Sequence, residues 1–240
     1  MEEEVWKFFI ENLIMKILSW NVGLPSYYKY ADKLNVKINW ESVSDQFFCL
    51  WYKECVIDVI TSIDPDIVLL QEIKNIEQRD AICNALNYDN IIDIWIKSNT
   101  QYPRLYLSKM PFEERVRSTN DWIILENWIY VKNIHLNAFS AKKRELQIEE
   151  LTKKLKDWLE TCLLWDFNIW QFGQKVLFKH DRIALDCLNK VIPETSKSFW
   201  STTMYGAKLD RVFSTLQWSV ATVIPKKWAQ MDHYPILLEF

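Results

Sequence analysis

Thr161-Cys162-Leu163-Leu164-Trp165-Asp166-Phe167-Asn168 is the stretch that decides the fold. It begins as an apolar run without alternation, the pattern of a strand covered on both faces. It ends in an acid and an amide. Charged side chains are rarely buried without a partner or a metal, so this ending needs a reason other than packing. The same pattern recurs on either side. Lys16-Ile17-Leu18-Ser19-Trp20-Asn21-Val22 is an apolar strand that stops at Gly23 and Pro25. Ile67-Val68-Leu69-Leu70 runs into Gln71-Glu72, and Ile129 to His135 closes on an imidazole. Downstream, Leu209-Asp210-Arg211 opens a strand, and Asp232-His233 precedes the strand from Ile236 to Phe240.

Between these runs the spacing predicts helices over 41–63, 76–86, 141–160 and 180–191. The first is capped by Ser42 or Ser44 and broken by Asp64-Pro65-Asp66. The third has Leu146, Ile148, Leu151, Leu155 and Leu159 on its apolar face. Further strands are expected at 91–96, 105–107, from Pro111, at 123–125 and at 220–223, with 123–125 pairing with 129–135 as a hairpin. Residues 24–40 read as loop. Strands are joined by hairpins in some places and by helices in others, which gives a layered α/β or α+β fold. Residues 1–14 read as an N-terminal extension and 15–240 as one domain.

The chain has 240 residues, 49% of them hydrophobic. A single domain of that size buries about 70% of its unfolded surface and needs no staple. Its 5 cysteines form no Cys-x-x-Cys pair and read as reduced thiols. Met1-Glu2-Glu3-Glu4 is acidic where a secretory leader is basic, and no apolar run approaches the roughly 18 residues of a membrane helix. A soluble cytoplasmic monomer is expected. The net charge of −3 gives no general attraction to nucleic acid and leaves a local basic groove open.

Acids and amides gathered at strand ends suit Mg²⁺ or Mn²⁺, which prefer oxygen ligands. Two histidines among them suit proton transfer or charge stabilisation at a phosphoryl group. Six segments carry the pattern in order: Trp20-Asn21, Gln71-Glu72, Asn133-Ile134-His135-Leu136, Asp166-Phe167-Asn168, Leu209-Asp210-Arg211-Val212-Phe213 and Asp232-His233-Tyr234-Pro235. This set resembles the motifs of the endonuclease/exonuclease/phosphatase superfamily over about residues 15–240.

The resemblance implies a four-layered sandwich, two packed β-sheets flanked by helices, with the site at one edge of the sheets. It implies a divalent-metal-dependent phosphoester hydrolase. The two histidines are similar to those of the phosphodiesterase, nuclease-like branches; a phosphomonoesterase of the inositol-phosphatase kind is the alternative. By the same resemblance Glu72 is the principal metal ligand, supported by Asn21 and Asp232. Asp166 orients or deprotonates the attacking water, and Asn168 holds a phosphate oxygen or positions Asp166. His233 contacts the scissile phosphate with Asp210 behind its ring, and His135 stabilises the phosphate or assists the leaving group. The expected partner is a phosphoester substrate, with nucleic acid among the classes. The loop at 24–40 and the segment around Arg104 are expected to shape the pocket.

Plainer readings stand beside these. Asp210 can pair with Arg211 or Lys208. His135 can be a satisfied core histidine. Lys142, Lys143 and Arg144 at the start of the long helix read as solvated, with phosphate binding as the other option. A non-catalytic member that binds a partner or a phosphorylated ligand is the second function class.

One departure bears on that class. The resembling motif has glycine where Trp165 stands. The chain holds 13 Trp and only 3 Gly. Trp95, Trp122, Trp128, Trp170 and Trp200 also stand where turn chemistry or the family pattern favours glycine. Were the 12 tryptophans other than Trp20 glycines, Gly would number 15, about 6% of the chain and close to ordinary usage. Either the sequence drifted toward Trp or these are glycine codons read as tryptophan, as a reassigned UGA would be. Trp165 abuts Asp166, and overpacking a filled site costs about 1–3 kcal/mol. The codon reading predicts glycine at 128, 165 and 170 in peptides of the natively expressed protein. Mass spectrometry that finds Trp at those positions ends it.

Overall fold

The computed structural model describes residues 14–23, 56–73, 76–94, 104–115, 122–125, 129–155, 160–203, 206–224 and 233–240. Its strands are β1 (Lys16–Asn21), β2 (Ile67–Gln71), β3 (Asn90–Ile94), β4 (Arg104–Ser108), β5 (Phe112–Arg115), β6 (Trp122–Leu125), β7 (Ile129–His135), β8 (Glu160–Phe172), β9 (Lys175–Val176), β10 (Lys208–Ser214), β11 (Val220–Val223) and β12 (Ile236–Glu239). The helices are α1 (Asp58–Ile63), α2 (Ile76–Leu86), α3 (Ala141–Thr152) and α4 (Lys179–Asn189).

The strands form two mixed sheets. The first has the order β11-β12-β1-β2-β4-β3. The second has the order β10-β8-β7-β6-β5, with β9 paired to β8. Alternation along the strands assigns the layers, because successive side chains point to opposite faces. In the first sheet Leu18, Trp20, Val68, Leu70, Leu105 and Leu107 pack with Val59 and Ile60 of α1 and Ile82 of α2. Ile17, Ile67, Leu69, Tyr106, Ile236 and Leu238 belong instead to the core shared with the second sheet, α3 and α4. The result is a four-layered α/β sandwich.

Two parallel pairs matter most. Strands β1 and β2 run parallel with Asn21 beside Gln71. Strands β7 and β8 run parallel with His135 beside Asp166. Strands β1, β2 and β7 end at one edge, whereas β8 does not stop at Asp166 and Asn168 as its sequence suggests but runs on to Phe172, so each sheet brings two polar groups to one place. A buried polar seam fixes one sheet against the other. Gln71 Nε2 donates to Asn133 Oδ1 at 2.6 Å, and Asn133 Nδ2 donates to the Leu70 carbonyl at 3.0 Å. Tyr106 Oη accepts from the Asn133 amide at 3.0 Å, and Arg104 Nη1 donates to the Asn133 carbonyl at 2.8 Å. Arg104, expected near the pocket, is thus buried in the seam.

The third helix is shorter than its spacing predicts. It ends at Thr152, and Glu160 already lies in β8 opposite Ile129. Strand pairing overrides helix propensity there. Leu146 is 51% exposed rather than core-facing, while Arg144 and Glu145 are buried with Ile148 and Leu151. Ser140 caps the helix by accepting from the Lys143 amide. Of the helix expected at 41–63, only α1 lies within the described residues, and the loop at 24–40 lies outside them.

Tryptophans at glycine-like positions divide into kinds. Trp122, Trp165 and Trp170 lie in strands β6 and β8 with ordinary φ. The side chains of Trp122 and Trp165 and all of Trp95 and Trp128 lie outside the described residues. Trp200 is 81% exposed. Trp218 is 91% exposed and has φ of 66°. That left-handed conformation costs a non-glycine residue roughly 1–2 kcal/mol, and an exposed indole recovers little of it. Trp218→Gly is therefore expected to stabilise the fold by up to about 1 kcal/mol, after the greater freedom of glycine in the unfolded chain is subtracted. A urea melt would show a higher midpoint at unchanged slope; a lower midpoint refutes the assignment.

Candidate active site

The site forms where β1, β2 and β7 end beside Asp166 of β8. Asn21 closes β1, and its Nδ2 donates to Glu72 Oε1 at 3.1 Å and to Asp166 Oδ2 at 2.9 Å. One side-chain amide thus joins an acid from each sheet. His135 closes β7, with Nε2 at 3.1 Å from Glu72 Oε1 and 3.3 Å from Asp166 Oδ2. Asn168 donates its backbone amide to Asp166 Oδ1 at 2.8 Å, and its Nδ2 lies 3.3 Å from His135 Nε2. On the far side, His233 Nδ1 donates to Asp210 Oδ2 at 2.8 Å. Its Nε2 points inward, 3.7 Å from Asp166 Oδ2. Trp20 Nε1 holds the His233 carbonyl at 3.1 Å.

The sequence-selected residues Asn21, Glu72, His135, Asp166, Asn168, Asp210 and His233 therefore meet in one cluster around Asp166. Asp232 lies outside the described residues. Asp210 pairs with His233 and not with its neighbours. Lys208 and Arg211 both turn to Glu194, at 2.6 and 2.9 Å. Arg144 is not solvated: it is 2% exposed and ion-paired to Asp181.

Backbone strain marks two of these positions. Glu72 has φ of 60° and Asn168 has φ of 51°, both left-handed for residues with a Cβ. Such conformations cost on the order of 1–3 kcal/mol each and concentrate at functional sites. Gly23, which the sequence offered only as a strand stop, explains how Glu72 fits. A Cβ on Gly23 would stand 2.1 Å from Glu72 Oε2 and 3.0 Å from Asn21 Oδ1. The Gly23 amide donates to that same Asn21 oxygen at 2.9 Å.

Charge is balanced tightly. Burial pushes the Asp166 carboxyl up, but the charges of His233 and His135 outweigh it and hold the group well below the usual carboxylate range. Glu72 is also pushed up by burial, yet its bond to His135 and the imidazolium charge bring it below its ordinary value. Burial pulls His135 down, but hydrogen bonds to Asp166 and Glu72 lift it to about 9. Asp210 is raised by burial, which its bond to His233 offsets only in part.

Two donor groups suit a cation. Glu72, His135 and Asp166 offer ligand atoms within 4.8 Å of one another, as do Asp166, Asp210 and His233. Both sets are rich in carboxylate oxygen, the donor Mg²⁺ and Mn²⁺ take. Glu72 is the open member, with 24% of its side chain exposed against 1% for Asp166.

No protein-family model and no curated protein matches the chain. Solved structures do. An endonuclease/exonuclease/phosphatase family protein from Bacteroides thetaiotaomicron is 13% identical with a TM-score of 0.64, covering 94% of this chain and 97% of its own. The mannosyl-6-phosphatase of the same organism is 13% identical with a TM-score of 0.61, covering 93% and 98%. TDP2 of D. rerio, solved with single-strand DNA product, is 13% identical with a TM-score of 0.64, covering 95% and 98%. This chain has the endonuclease/exonuclease/phosphatase fold. Among its described residues no helix is long and apolar enough to cross a membrane.

Gly23→Ala is expected to leave the fold intact, because the atom it strikes is the end of a flexible side chain. Glu72 must swing away, and if its carboxylate holds a cation, Mn²⁺ affinity should fall by about tenfold or more. Titration calorimetry with Mn²⁺ that shows no weakening would contradict this account of the glycine.

Proposed function

We propose that this chain is a Mg²⁺- or Mn²⁺-dependent phosphoester hydrolase, acting on phosphodiesters in the manner of a nuclease. The observation that carries this reading is the position of Asp166. Its Oδ2 accepts from Asn21 at 2.9 Å and faces the ring nitrogens of His135 at 3.3 Å and His233 at 3.7 Å, from both sheets at once. A buried carboxylate ringed by an amide and two imidazoles is equipped to direct water at a phosphorus atom.

Glu72, with Asn21 and Asp232 in support, would hold the cation, which supplies charge stabilisation at the phosphoryl oxygens. Asp166 stays ionised and orients the attacking water. His233 keeps Nδ1 on Asp210, which fixes its tautomer and leaves Nε2 for the scissile phosphate. His135 and Asn168 donate to a phosphoryl oxygen on the opposite side, where negative charge grows in the transition state. Similarity to a mannosyl-6-phosphatase and to a protein solved with single-strand DNA product leaves both monoesters and nucleic acid within the substrate class. The two inward histidines favour the diester.

The test is turnover of bis-p-nitrophenyl phosphate with Mg²⁺ or Mn²⁺, on the wild-type chain and on Trp165→Gly. Activity is expected to vanish with a chelator and return with the ion. Asp166→Asn and His233→Gln should each lower kcat by about 10²–10⁴. Trp165→Gly should raise it. No turnover in either chain with either ion would overturn the hydrolase reading in favour of a binding protein.

A further inference from the structure

The geometry points to Arg144, held by Asp181, as a positioning residue for the site; this rests on the hydrolase reading above. Arg144 lies near the start of α3, where its sequence neighbours Lys142 and Lys143 suggest a solvated cation and the helix dipole offers it nothing. Instead it is 2% exposed. Its Nε and Nη2 donate in parallel to the two Asp181 oxygens at 2.8 and 2.7 Å. Asp181 is fully buried in the first turn of α4.

A fork of two bonds would suffice to lock the helices together. The third donor goes elsewhere. Arg144 Nη1 reaches the carbonyls of Asn137 at 2.9 Å and Ala138 at 3.3 Å. These belong to the turn that leaves β7 directly after His135. The same turn is held from inside as well. Gln147 Oε1 accepts the Asn137 amide at 3.0 Å, and Asn137 Oδ1 accepts the amides of Phe139 and Ser140 at 3.1 and 2.8 Å.

One residue upstream the turn becomes the site. The Leu136 amide donates to the Asp166 carbonyl at 3.1 Å. The Leu136 carbonyl accepts from Asn168 Nδ2 at 3.0 Å, the same amide nitrogen that faces His135. A tether therefore runs from Asp181 through Arg144 to the backbone of residues 136–138, and from the Leu136 carbonyl to Asn168. Arg144 thereby positions His135 and Asn168 without itself touching the reacting atoms. Planar forked donors do this as a lysine cannot. Buried ion pairs contribute little net stability compared with apolar side chains of like volume, so stability alone does not account for this one.

The test compares wild type with Arg144→Lys and with the volume-matched double variant Arg144→Met/Asp181→Leu, which leaves no buried charge unpaired. Native-state amide exchange reports on the tether without relying on activity. Protection of the Leu136 and Asn168 amides is expected to fall about tenfold or more, with Val131 and Leu163 unchanged. In steady-state kinetics kcat should fall by about tenfold to a hundredfold with KM nearly constant, as for a small misplacement of catalytic groups. Arg144→Lys should not rescue either readout. Unchanged exchange at Leu136 and Asn168, or unchanged kcat in a folded double variant, overturns the proposal. A wild type without turnover counts against the hydrolase reading instead, and the exchange result still decides whether the tether exists.

Discussion

The offset of the two sheets is set by one polar contact within their apolar interface. Gln71 ends β2 one residue before Glu72, Asn133 lies two residues before His135 on β7, and the two amides bond across the interface. Apolar faces alone let two sheets slide, because burial is non-directional. An amide pair that reaches Asn133 from Gln71 and Leu70, with Tyr106 and Arg104 on its backbone, has one good arrangement. Each such bond contributes only about 1 kcal/mol net, but a buried donor or acceptor left unpaired costs about 1–3 kcal/mol. The seam therefore selects the offset of the sheets more than it strengthens their adhesion. Glu72, one residue beyond Gln71, and His135, two beyond Asn133, inherit that offset and come within 3.1 Å of each other.

That dependence explains what could be read from the chain and what could not. Asn21, Glu72, His135, Asp166, Asn168, Asp210 and His233 were legible because each interrupts or closes an apolar run. The apolar runs themselves marked most strands, while the short β9 and the continuation of β8 to Phe172 carried no such mark. The partners that hold these groups were not. Gly23 looked like a stop signal, and its need to be glycine arises from Glu72, far along the chain. Arg144 looked like a surface cation, because nothing near it in sequence reveals Asp181. Glu194, which takes both Lys208 and Arg211, carries no local mark. Propensity also failed where pairing outranked it, as at Glu160. Sequence shows which groups are out of place, whereas only the assembled fold shows what answers them.

The site itself is a balance of strain and charge. Two left-handed residues, three buried or half-buried carboxylates and two imidazoles would each be unfavourable alone. Together the acids lift His135 and the imidazoles hold Asp166 ionised. Such mutual compensation couples the members of the cluster, so a change of charge at one shifts the proton equilibria of the others.

The bond from Trp20 to the His233 carbonyl joins residues 213 positions apart. It brings strand β1, near one end of the chain, against the residues just ahead of β12, near the other. Closing so long a loop costs entropy that the intervening structure reduces. The cluster therefore exists only where both sheets are assembled: a partly folded chain has no site with which to act. The coupling also runs in reverse. Any ligand that bridges the sheets at Asp166 grips both ends of the chain at once and stabilises the whole of it by mass action.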